Sequence, residues 1–254
     1  MRVFTIALNT FRETIRNRIL LNILMFAVGL ILLSLVVGEW SMENQAKVIK
    51  DFGLSAMSIF GLLIAIFIGI RLMVQELEQR TIYILASKPI HRWQIIIGKY
   101  VGLALTLAVN VLLMTLTLGF TNIFMEGSID WGMLPAIGLI YVEILLIVAF
   151  SLFFSTLMSP TLASMATLAV FVIGHITDFL REYVALYPDK GLHWLFRFIY
   201  RVMPNLENLN LKMAVVGHIP QPPHAFEYGL LYGLAYIGVI LLLSVLTFNR
   251  KDFK

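Results

Sequence analysis

The sequence predicts an all-α integral membrane protein with six transmembrane helices, and three observations lead there. Hydrophobic residues make up 59% of the 254 positions and charged residues only 13%, with mean hydropathy +0.88, too apolar for a water-soluble globule. Six apolar runs, at about 19–38, 54–73, 100–120, 134–157, 161–178 and 229–248, each match the roughly 20 helical residues that cross a hydrocarbon core of about 30 Å. None shows the polar alternation of a lipid-facing barrel strand, so the spans are helical.

The first run is too long, and too far from the start of the chain, for a secretory signal, and it lacks a small-residue cleavage pattern; it is expected to remain as a span. Ahead of it, Phe4, Leu8, Phe11 and Ile15 recur at helical spacing while Arg2, Asn9, Glu13 and Arg16 fall on the other side. That pattern predicts an interfacial helix acting as an elbow into the membrane, against the plainer reading of a basic flank that sets orientation.

Between spans two and three lies the one well-charged, helix-forming stretch, Glu76 to Gln94. Glu76 and Glu78 suit the first turn of a short helix, whose dipole favours anions. Ser87-Lys88-Pro89 should break it, because proline cannot continue a helix but starts the next one well. Ile82, Ile84 and Leu85 beside Arg80 and Tyr83 offer a rigid surface for a soluble partner, or else pack beneath the bundle. Leu157 to Thr161 reads as a tight turn, with Ser159 able to cap and Pro160 placed to open span five. The long segment 181–228 carries five prolines and an amphipathic stretch, Trp194 to Arg201, suited to the headgroup region.

An even number of spans puts both termini on one side. Twelve of the 19 basic residues flank spans on that side, which makes it cytoplasmic and the protein a multi-pass cell (inner) membrane protein. The net charge of +4 follows from this flanking pattern and not from nucleic-acid binding. With no cysteine there is neither a disulfide framework nor a thiolate metal site. The lone Gly98-Lys99 pair is followed by Tyr100 and is no phosphate loop, the five histidines lack ligand spacing, and no nucleophile motif occurs. No catalytic residue, metal or cofactor is expected on this chain, and the twelve methionines read as apolar filler.

Glu143 is the sharpest intramembrane feature, since a carboxylate there costs roughly 2.5–3.5 kcal/mol unless protonated, paired or wet. Two readings stay open: a structural hydrogen bond, for instance to Asn110 or a threonine of span three, or a place on a transport path. His175 and Asp178, one turn apart, would bind a cation or cap a helix near the headgroups. Glu143, His175 and the loop acids are expected at different depths, which argues against an intramembrane enzyme. Gly98-x-x-x-Gly102 and Gly229-x-x-x-Gly233 permit close helix approach within the monomer or across a dimer.

Across nearly its whole length the chain resembles the exporter-type ABC transporter permeases, and among them the Nos-type permeases linked to multicopper-enzyme maturation. The resemblance rests on Thr10 to Asn17, on Glu76 to Tyr100 with Ser87 to Arg92 inside it, on Phe154-Ser155-Thr156 with Ser159-Pro160, on Gly174-His175, on Met203 to Asn208 and on Phe248 to Phe253. It implies a type V exporter-like fold with elbow and cytoplasmic coupling helix, a second permease copy, and two separate ATPase subunits that hold ATP and Mg. It further implies that Glu78, Arg80, Thr81, Ile82, Leu85, Ser87, Lys88, Pro89 and Arg92 form the coupling surface, with Arg80 and Thr81 foremost. Glu143, Asn110 and His175 are the candidate path residues. An outside binding protein is a further candidate partner. The rival readings are a scaffold that passes ATPase motion to an outside partner without flux, and an intramembrane enzyme using Glu76, Glu143 or His175.

Overall fold

The computed structural model describes residues 2–41, 44–78, 91–128, 130–186, 193–217, 219–220, 222 and 224–250. Among the described residues ten α-helices follow one another: α1 (Arg2–Ile15), α2 (Arg18–Glu39), α3 (Gln45–Glu78), α4 (Arg92–Glu126), α5 (Leu134–Leu157), α6 (Pro160–His175), α7 (Thr177–Leu186), α8 (His193–Val202), α9 (Lys212–Gly217) and α10 (Ala225–Arg250). Short 3-10 turns sit at Trp131–Met133 and Leu206–Leu209. Five segments are long and apolar enough to cross a membrane: α2, α3 over Gln45–Leu72, α4 over Trp93–Met125, Trp131–Leu157 and α10. The sixth candidate is the pair α6 and α7, bent by 55° at Ile176, so the run expected at 161–178 is a broken element and not one straight rod.

The chain outside the spans also departs from expectation. α3 continues unbroken to Glu78, which places Glu76 and Glu78 in its last turn and not in the first turn of a separate helix. α4 starts at Arg92, opened by His91 and Gln94 in a capping box. The expected break at Ser87-Lys88-Pro89, together with Arg80, Thr81, Ile82 and Leu85, lies outside the described residues. At the α5–α6 turn Pro160 occupies the first helical position, but Ser159 makes no side-chain cap bond. Trp194 to Arg201 is helical as part of α8.

Helices α3 and α5 form the axis of the bundle and are its most buried spans, whereas α2 and α10 leave most of their surface outward. α3 and α5 run parallel. Ser58, Gly61, Ala65 and Gly69 share one face of α3, and a side chain added at Gly61 or Gly69 would run into Ile144 or Ser151. In a bilayer, lipid is as apolar as leucine, so helices associate through close packing across small residues and through polar contacts. α4 and α5 show the second device: the Tyr141 hydroxyl donates to the Ala104 carbonyl at 2.9 Å, and the Tyr100 hydroxyl to the Leu145 carbonyl at 3.4 Å.

Helix α1 lies against the start of α4. Its packing face is Ala7, Thr10 and Thr14, all buried, and not the Phe4, Leu8, Phe11 stripe, of which Phe4 remains 69% exposed. Glu13 and Arg16 are also exposed. Gly98 and Gly102 provide the seat, so that glycine pair works within the monomer, as does Gly229 with Gly233 against Leu139 and Val142. A Cβ at Gly102 would stand 2.6 Å from the carbonyl oxygen of Ala7, a backbone atom that cannot rotate away. Gly102→Ala is expected to cost about 1–3 kcal/mol of α1 docking. In the cysteine-free background, a Thr14→Cys reporter should react with maleimide about tenfold faster once Gly102→Ala is added.

Candidate functional site

The chain's deepest carboxylate is held between three helices. Glu143 sits on α5 nine residues beyond Leu134, about 13 Å along the axis, and its side chain is 2% exposed. The Ser58 hydroxyl of α3 donates to its two oxygens at 3.4 and 3.5 Å. His175, the last residue of α6, brings Nε2 to 3.5 Å from Glu143 Oε1. The sequence-based expectation that Glu143 and His175 lie at different depths is therefore wrong. They meet because α6 stops at His175, where the chain bends into α7.

The partner is also different from the one expected. Asn110 does not reach Glu143; its Nδ2 donates to the Thr106 carbonyl of its own helix at 2.7 Å, and its Oδ1 is buried without a partner. Nor do His175 and Asp178 face a common cation, because Asn205 Nδ2 donates to Asp178 Oδ1 at 2.6 Å. Among the described residues no group of three or more His, Cys, Asp or Glu side chains is placed to hold a metal.

The imidazole ring has a neighbour at each nitrogen. His175 Nδ1 faces the Phe171 carbonyl oxygen at 3.1 Å, and a carbonyl can only accept, so Nδ1 carries hydrogen. Nε2 then faces the carboxyl group either as the second donor of an imidazolium or as the acceptor of a neutral acid's proton. A pairing of this kind suits a site where an isolated charge is expensive. His175 is the accessible member, 24% exposed against 2% for Glu143, and its ring leans on Phe171 with centroids 4.5 Å apart. Beyond it, Lys212 and Glu207 lie close enough for their charges to act on Glu143.

Ser58 was missed in the sequence. Its signal was its place one turn before Gly61 on the small-residue face of α3, which identifies a close-packed helix contact and hence a donor delivered to whatever faces it. Two further charged groups in the spans are structural. Lys50 pairs with Asp130 at 2.8 Å where α3 begins, and Lys99 donates to the Leu72 carbonyl near the other end of α3.

Comparison with known families bears on what this bundle is. The family described as ABC-2 family transporter protein matches residues 4–253. The chain belongs to the ABC-2 transporter family. No curated protein matches it. The ABC-2 protein is therefore a multi-pass membrane protein and the permease subunit of an ABC transporter, and membership implies an ABC ATPase as its partner.

The Glu143–His175 contact can be weighed by a mutant cycle. His175→Phe leaves the carboxyl with Ser58 alone and is expected to lower unfolding stability in lipid–detergent micelles by about 1–3 kcal/mol. In a Glu143→Leu background the same replacement should cost at least about 1 kcal/mol less. Equal costs in both backgrounds would remove the pairing.

Proposed function

We propose that this ABC-2 permease couples ATP hydrolysis on separate ATPase subunits to export or membrane extraction of a substrate, with both termini and residues 79–90 on the cytoplasmic side. The observation that carries the reading is the family match over residues 4–253 in a chain that has no phosphate-binding loop of its own. ATP and Mg reside on the ATPase. Residues Glu78 to Pro89 and Arg92 form its docking surface, Arg80 and Thr81 foremost, and α1 serves as the elbow. A second copy of the permease completes the pore, as the resemblance to exporter-type permeases implies, and the same resemblance makes the Nos-type group the first place to seek a substrate.

On this reading α3 is the lever. It leaves the docking segment at Glu78 and carries Ser58, twenty residues or about 30 Å away, against Glu143. ATP-driven closure of the ATPases displaces the end of α3, and two arrangements of Ser58, Glu143 and His175 correspond to the two states of the cycle. Glu143 and His175 then belong to the transport path, open toward Lys212 and Glu207, where an outside binding protein would also dock. The second reading is a scaffold that drives an outside partner without flux. Vesicle assays separate the two, because a scaffold hydrolyses ATP without moving solute.

The docking role has a direct test. Arg80→Glu combined with Thr81→Pro is expected to abolish co-purification of the ATPase while the permease still inserts into membranes. Undiminished co-purification would refute the assignment of this segment.

A further inference from the structure

At the junction of α1, α2 and α3 a cleft of about 360 Å³ is lined by Glu13, Thr14, Arg16, Asn17, Arg18, Ile19, Ile68, Arg71 and Leu72. Its upper part is cationic: three guanidinium groups oppose the single carboxylate of Glu13. Among the described residues, Arg16, Arg18 and Arg71 make no ion pair. The arginines come from the end of α1, the first residue of α2 and the late part of α3, so three separate elements aim positive charge at one space. The α2 N-terminus opens beside them, where the Asn17 side chain accepts from the Ile19 N–H at 2.9 Å and the helix dipole adds to the positive field.

The lower part is apolar and leads into the bilayer. Ile68 and Leu72 form a buried floor, and Ile19 is an exposed side. From Ile19 an exposed stripe runs along one face of α2 through Phe26, Leu30 and Leu33, at helical spacing. A cationic rim at the level where two spans meet the interface, continued by an apolar track down one of them, matches one molecule: a negatively charged headgroup with an acyl chain below it. Soluble anions would use the rim and leave the track empty.

We propose that this cleft binds one anionic glycerophospholipid, its phosphate held by Arg16, Arg18 and Arg71 and an acyl chain laid along Ile19, Phe26, Leu30 and Leu33 of α2. Basic sites at span ends favour such headgroups by charge, and the exposed apolar track beside them favours a lipid over a free ion. The bound lipid ties the end of α1 to both α2 and α3, whereas the chain joins α1 to α2 through the short turn at Arg16 and Asn17. The inference needs α2 and α3 to cross the bilayer and does not depend on ATPase docking, so it stands or falls separately from the proposed coupling.

The test uses the full-length purified protein, with thermal unfolding followed in phosphatidylcholine micelles, in the same micelles containing phosphatidylglycerol, and with inorganic phosphate. Phosphatidylglycerol is expected to raise the unfolding temperature and phosphate to leave it unchanged. Arg16→Gln, Arg18→Gln and Arg71→Gln should each raise the phosphatidylglycerol fraction needed for half the effect by about five- to tenfold, with unfolding in phosphatidylcholine alone unaltered. Arg12→Gln removes the same charge from an exposed residue of α1 outside the cleft and should change the midpoint little. Native mass spectrometry should retain one phosphatidylglycerol on the wild-type chain and none on a variant carrying all three cleft substitutions. An equal loss with Arg12→Gln would reduce the effect to general surface attraction. Stabilisation by phosphate alone would make the cleft a site for soluble anions. Either result, or no retained lipid, overturns the proposal.

Discussion

The absence of water from the hydrocarbon region is the constraint on which this structure depends. Every backbone amide between the membrane faces must find its partner within the protein, which makes the spans helical and leaves side-chain hydroxyls to bond back to their own helices. Thr106 to the Gly102 carbonyl, Thr115 to Val111, Thr167 to Ala163 and Ser244 to Ile240 all do so, at 2.7 to 3.0 Å. Polar residues spent in this way hold no helices together. Assembly falls to close packing across Gly61, Gly69, Gly98 and Gly102 and to the few side chains that reach another helix, such as Tyr100, Tyr141 and Lys99.

Glu143 stands apart because it has no carbonyl to bond back to while ionised: a carboxylate only accepts. It therefore demands donors from neighbouring helices, and the bundle supplies two of different character. Ser58 donates from a central helix whose position is fixed by glycine contacts. His175 approaches from a helix end, beside a 55° bend, with part of its ring accessible. A contact from a central helix and a contact from a helix end thus converge on the same group.

The spans were legible because apolar length is a one-dimensional property: α5 runs from Leu134 to Leu157, the residues expected, and α2 and α10 differ from expectation by a few residues at their ends. Glu143 was visible for the same reason, as a charge inside an apolar run. Its partners were not, since which helix faces α5 at that depth depends on packing: Asn110 of α4 was the partner expected, whereas Ser58 of α3, the helix parallel to α5, is the donor that reaches it. The bend at Ile176 was hidden because neither proline nor glycine occupies it. Glu76 and Glu78 misled for a related reason. Acidic residues favour a helix start by a few tenths of a kcal/mol to about 1 kcal/mol, and continuation of the long α3 outweighs a preference of that size.

Parallel packing of α3 and α5 has a mechanical consequence that either rival reading must accommodate. Both helices run from the face bearing α7 to α9 toward the face bearing α1, and their contacts at Ser58, Gly61 and Gly69 are too close to allow independent rotation. A displacement of the α3 end next to residues 79–90 moves the pair together unless the small-residue seam slips. α6 is different, because it joins α5 through the turn at Met158 and Ser159 and ends in the bend. It packs on the bundle through Ala163, Thr167 and Val170, all buried, and adds to that packing the polar contact of its last residue, His175, with Glu143.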